Sequence, residues 1–194
     1  MLMFPDVISP AGIRPGLAEG SRLGASTVGV WLGGSVDPTP LESFGFRRGP
    51  QTCWMTAPVH APQAWPGTAA TVEVQPPEVS GADAEELRVG HSTPRQAWHI
   101  AARDAARMTG RAYAFYPGPV AGLSKVGGIF HLAVGASSRR RGFGTALLSS
   151  AAAAAEAAGA EQVIVNATAP GQDLCAARGF SLVGRGQTYS MAIG

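Results

Sequence analysis

A chain of 194 residues with 15 basic and 13 acidic side chains carries a net charge of +2, which leaves little room for the extended basic stripe that holds duplex nucleic acid. The hydrophobic fraction of 45% is ordinary for a globular protein and the charged fraction of 14% is low, so disorder driven by charge is excluded. The 26 glycines and 15 prolines predict many turns and short elements, a strand-rich fold of one core or two small lobes and not a long helical bundle.

The amino-terminal stretch MLMFPDVISP lacks a basic segment and carries Asp6 and two prolines where a signal peptide would be apolar, which argues for a cytoplasmic protein. Residues 1–23, with Pro5, Pro10 and Pro15, read as an irregular or partly helical lead-in. STVGVWLGG (26–34) and QTCWMTA (51–57) have strand composition, and APQAWPG (61–67) reads as a linker. TVEVQ (71–75) alternates as a strand, GADAEELRV as a short helix with acidic residues at its start. AWHIAARD (97–104) and GRAYAFYPG (110–118) read as a hairpin joined by ARMT. GIFHLAV (128–134) is almost wholly apolar, the pattern of a central strand buried on both faces. GFGTALLSSAAAAAEAAG (142–159) reads as an alanine-rich helix ending at a glycine; its apolar run is far short of the roughly 20 residues that span a bilayer, so no membrane partner is expected. EQVIVNAT (161–168) is a second buried strand, DLCAARGF (173–180) a two-turn helix, and SLVGRGQTYSMAI one or two closing strands. A crossover helix between two buried strands makes them parallel.

The junction VGASSRRRGFGTALL ends a buried strand, passes three arginines and starts a helix at Gly142 and Gly144. Unpaired N–H groups at a helix start favour an anion, glycine lets a phosphate approach the backbone, and arginine adds charged hydrogen bonds. A solvated basic turn before an ordinary helix is the plainer alternative. The segment resembles the signature of the GNAT superfamily of acyl-CoA N-acyltransferases, a strand ending in V-x-P followed by R/Q-x-x-G-x-G/A. Here Val134, Gly135 and Ala136 precede Arg139, Gly142 and Gly144, and only the proline is missing. A later L-Y-x-x-x-G-F motif is matched by Leu174, Cys175, Gly179 and Phe180, so the resemblance covers roughly residues 95 to 190. It implies a GNAT fold of class α/β, a mixed, mostly antiparallel sheet with a parallel central pair flanked by helices. It implies acetyl-CoA as co-substrate, with Leu132, Ala133 and Val134 along the thioester and pantetheine. Arg139, Arg140, Arg141, Gly142, Phe143, Gly144 and Thr145 would surround the pyrophosphate. Asn166 could bind pantetheine or be, like Thr168, an ordinary residue before a turn.

Cys175 stands where many relatives have the tyrosine that protonates the leaving thiolate; it is a candidate proton donor or a buried apolar residue. His131, with a suitable ordinary pKa, is the candidate general base, although alternation places it opposite Phe130 and Leu132 as a core histidine unless a bulge intervenes. Tyr189 and Glu161 are further candidates, more simply a packing aromatic and a surface carboxylate. His91 and His99 stay unassigned, and Cys53 and Cys175 have no metal-ligand spacing, so no metal is expected.

WLGGSVDPTPLESFGFRRGPQTCWM echoes LCAARGFSLVGRGQTYSM, which suggests residues 1–66 as a smaller, degenerate GNAT-like α/β lobe ahead of an acetyl-CoA-binding domain at 67–194, with Trp31, Trp54 and Trp65 as anchors or core; chance similarity in a glycine-rich chain is the alternative. The leading function is acetylation of a small-molecule amine by direct transfer in a ternary complex. The alternatives are a non-catalytic acyl-CoA-binding module and use of another acyl-CoA. The acceptor segments fall in the lead-in and the 76–96 and 117–127 loops. The oligomeric state is not legible.

Overall fold

The computed structural model describes residues 2–3, 6–64, 71–76, 84–119 and 125–193; Trp65 and parts of the two expected acceptor loops lie outside them. The chain forms two compact units, Met1–Trp54 with Val183–Gly194, and Met55–Leu182. The expected lobe boundary near residue 66 falls within the second of these.

In the first unit, β1 (Leu2–Met3) runs parallel to β2 (Thr27–Gly33), with helix α1 (Pro10–Arg22) between them in the chain. The prolines of the lead-in do not prevent a helix. Pro10 occupies the first turn, where its missing N–H is not needed, and Ser9 caps it by accepting from Gly12 N at 3.3 Å. Helix α2 (Thr39–Ser43) and the short β3 (Arg47–Arg48) follow. The closing strand β10 (Ser181–Ala192) is a single element, antiparallel to β2 from Gly186↔Gly33 to Ala192↔Thr27. Ile8, Ile13, Val30, Leu32, Leu41, Phe46 and Tyr189 form this unit's core.

β4 (Thr52–Pro58) begins in the first unit and continues into the second. There the order is β4, β9 (Gln162–Ala167), β8 (Val126–Val134), β7 (Arg107–Phe115), β6 (Ala97–Asp104) and β5 (Thr71–Gln75). The pairs from β5 to β8 are antiparallel and β8 with β9 is parallel. The β6–β7 turn is tighter than expected, Ala105 and Ala106 alone, because Asp104 already pairs with Arg107. The short helix α3 (Ala84–Gly90) precedes β6.

Helix α4 (Phe143–Ala157) lies on β6, β7 and β8 and buries Leu147, Leu148, Ala151, Ala152 and Ala155 completely. Its alanine face lets helix and sheet approach closely, and Gly110 on β7 is part of that fit. A Cβ there would stand 2.9 Å from Leu147 Cδ1 and 2.7 Å from Ala133 O. Helix α5 (Ala169–Ala176) starts four residues before the expected position, since Pro170 takes a first-turn site and does not mark a turn. Among the described residues no helix is long and apolar enough to cross a membrane, and no group of histidine, cysteine or carboxylate side chains could hold a metal.

Candidate active site

β8 is buried only in its first half. Gly127, Gly128 and Ile129 are buried, whereas Phe130 to Val134 are half-buried or exposed, which corrects the expectation of a strand covered on both faces. The cause is the pairing. Parallel register with β9 ends at Ile129↔Val165, so the rest of β8 is held only by β7. The β7 register shifts as well: Arg111 pairs with Ala133, but Tyr113 pairs with Phe130. Two steps on β7 therefore face three on β8, a bulge at His131 and Leu132. His131 has φ +52° and is exposed. Strand alternation fails at the inserted residue, so His131 is not the core histidine that period two implies. Its ring centre lies 6.4 Å from that of Tyr113, which packs 4.8 Å from His99 on the other side.

Beyond β8 the chain makes a short 3-10 turn, Ala136–Ser138, and reaches α4 through the three arginines. Arg139 Nε donates to Val134 O at 3.2 Å. Arg140 takes φ +62°. Arg141 pairs with Asp104 at 2.8 Å and stacks over Phe143 at 5.2 Å. Gly142 caps α4 with φ +87° and no side-chain hydrogen bond. The helix's first internal bond runs from Ala146 N to Gly142 O at 3.0 Å, so the N–H groups of Phe143, Gly144 and Thr145 have no carbonyl of the helix to bond. At Gly144 a Cβ would meet Leu174 Cδ2 at 3.0 Å. Thr145 Oγ1 accepts from Arg178 Nε at 3.2 Å. Sequence reasoning missed Arg178 and Asp104, because each reaches the loop from a distant segment.

On β9, beyond the last registered pair with β8, Asn166 Oδ1 is buried with no hydrogen-bond partner. A buried acceptor is expensive to leave unpaired; here it points to a ligand donor. The orphaned carbonyl, the end of pairing between β8 and β9 and the uncapped helix start together suit a ligand with an anionic end.

Cys175 on α5 is 2% exposed, and burial pushes its thiol up to about 11. Glu161 precedes β9 and is paired with Lys125 in an exposed bridge. Tyr189 belongs to the first unit's core, its hydroxyl 3.5 Å from Glu42 Oε1, with burial first and the Glu42 charge second raising its pKa. That is the placement of a packing aromatic. Trp31 and Trp54 meet edge to face at 5.8 Å.

A sequence profile of the acetyltransferase (GNAT) family matches residues 68–180, more than half of the chain. The chain belongs to the GNAT family. It is therefore an acyltransferase with the α/β GNAT fold. Solved structures agree in fold. A GCN5-related N-acetyltransferase from Kribbella flavida superposes with a TM-score of 0.62 at 13% identity, over 97% of this chain and 78% of that one. A functionally unknown conserved protein from Staphylococcus epidermidis gives 0.63 at 12%, over 94% and 79%. A tandem GNAT protein from the clavulanic acid biosynthesis pathway gives 0.54 at 17%, over 92% and 67%. No curated protein matches the chain in sequence.

Proposed function

We propose that this GNAT protein transfers an acetyl group from acetyl-CoA directly to the amine of a small molecule, in a ternary complex in the cytoplasm. The observation that carries the reading is the end of the β8–β9 pairing, where an orphaned Asn166 Oδ1 and an uncapped α4 start lie at the same end of a parallel pair. Leu132, Ala133 and Val134 would line the thioester and pantetheine, and residues 139–145 the pyrophosphate. Arg139 and Arg141 keep their internal partners, Val134 O and Asp104, which orient the loop.

Acetyl-CoA supplies an acyl group already activated as a thioester. The protein's part is to hold it, to exclude water and to move protons. The attacking nitrogen forms the new C–N bond as the C–S bond breaks, and it must lose a proton. We assign that step to His131, whose exposure at the bulge supports its accepting the proton directly or through a water. The departing thiolate needs a proton, and Cys175, which burial keeps protonated at neutral pH, is the candidate donor. The same burial argues against an acyl-cysteine route, since it raises the thiol and no lowering partner acts on it among the described residues. We leave Tyr189 out of the chemistry. The cysteine in the tyrosine position also supports a second reading, a module that binds acyl-CoA without turnover; a longer acyl group is a variant of the first.

The test is the unfolding temperature with acetyl-CoA. At about 100 times its dissociation constant a ligand stabilises the fold by roughly 2.7 kcal/mol. The wild type should shift and Gly142→Glu, with a carboxylate at the phosphate position, should not. Coenzyme A release with an amine then separates transfer from binding alone, and the absence of any shift in wild type would remove acetyl-CoA as the donor.

A further inference from the structure

The face of the sheet opposite α4 holds a feature that acyl transfer alone does not explain. Residues paired across antiparallel strands share a face, so one row reads Glu73, Ala101, Arg111, Ala133 and the next Gln75, His99, Tyr113, Phe130. Gly110 faces Leu147 of α4, so its neighbour Arg111 points to the other side. Arg111 is the last paired residue before the register breaks at His131. It is exposed, with an alanine on either side in its row. Arg103 is bound to Glu73 at 2.7 Å and Arg141 to Asp104, whereas the described residues show no ion pair for Arg111. Glu73, at the end of the same row, is already engaged by Arg103 and Gln75. Tyr113 lies two residues along the strand from Arg111, about 7 Å, and His131, whose ring centre is 6.4 Å from that of Tyr113, lies on β8 between the partners of the two.

We propose that Arg111 binds a carboxylate of the acceptor, so that the amine acetylated by this protein belongs to an amino acid. The inference rests on the acyl-transfer reading of the same site. Alanines on both sides leave room beside the guanidinium, and its planar fork matches a carboxylate in two parallel hydrogen bonds. One cation, with no second free cation in its row, suits a monoanion and not a phosphate dianion. Tyr113, beside His131, would pack against the acceptor's carbon chain as it runs from the carboxylate at Arg111 to the amine at His131.

The test uses the full chain with acetyl-CoA and the standard amino acids, β-alanine and 4-aminobutyrate, each beside its carboxamide, which keeps the amine and removes the anion. Coenzyme A release should favour the acid by about 10- to 100-fold in kcat/KM. Arg111→Gln should erase that preference by raising KM for the acids while leaving the carboxamides unchanged, and Arg111→Lys should keep part of it. A second readout needs no turnover: the preferred acid should raise the unfolding temperature of the coenzyme A-saturated wild type but not of Arg111→Gln, which should still respond to acetyl-CoA. Equal rates for acids and carboxamides, or a preference that survives Arg111→Gln, would overturn the carboxylate and leave acyl transfer standing. No coenzyme A release with any acceptor would overturn acyl transfer to amino acids and this inference with it.

Discussion

His131 occupies a left-handed backbone conformation that is uncommon for a side chain of its size and costs on the order of 1–3 kcal/mol when imposed. Glycine relieves that strain, so His131→Gly should leave the protein as stable as wild type or more stable by about 0.5–1 kcal/mol in a urea titration. The same variant should lose about 100-fold or more in kcat. Undiminished turnover would take His131 out of the chemistry. Cys175 gives a pH signature. Its folded pKa, about 11, lies above its ordinary 9.0, so the folded state holds a proton that the unfolded chain releases in this range. Its contribution to stability is complete below pH 9 and lost as pH rises towards 11, on the order of 1–2 kcal/mol. Unfolding free energy measured across that window should fall less steeply in Cys175→Ala. The type of each of these residues was legible in the sequence, but their surroundings were not. Nothing in GIFHLAV marks an inserted residue, because the bulge carries neither glycine nor asparagine, and so alternation assigned His131 the wrong environment.

At the scale of elements, β1–α1–β2–α2 and β8–α4–β9–α5 follow the same succession, each with a parallel strand pair. Both end alike. Phe46 N bonds Leu41 O and Gly45 N bonds Glu42 O; Phe180 N bonds Cys175 O and Gly179 N bonds Ala176 O. Gly45 and Gly179 have φ of +91° and +87°, the geometry of a Schellman turn in each case. The shared turn gives a graded prediction. Gly45→Ala meets only Met191 Sδ at 3.7 Å and should cost about 1–2 kcal/mol of backbone strain. Gly179→Ala adds a clash with Ala61 Cβ at 2.9 Å and should cost more; equal losses by calorimetry would refute the distinction. The helix starts differ where the turns agree. Ser9 occupies an amide at the start of α1, while α4 opens on Gly142 with none occupied by a side chain. The helices and strands were readable because period and turn residues are local signals. The start of α5 was misread because a proline can open a helix as well as end one.

At the scale of the molecule, Met55–Pro58 of β4 flank β9 within the second unit, although they precede the stretch matched by the family profile. A fragment of residues 67–194 would therefore expose the edge of β9, an invitation to pair with other chains. It should aggregate or unfold at a lower temperature than the intact protein by size-exclusion chromatography and thermal melting. A soluble monomer of unchanged melting temperature would show β4 to be dispensable. The choice of partner for β4 and β10 could not be read from sequence, since period and turn chemistry say that a strand exists and not which distant strand it joins. β10 completes the ladder of β2 yet follows all of Met55–Leu182 in the chain. On the ribosome, the unit begun first must wait for the one begun later to emerge, and β2 stays without its neighbour throughout that interval. The second unit can thus be complete while the first still lacks β10, and slow translation lengthens the time for which that edge of β2 is open to other partners.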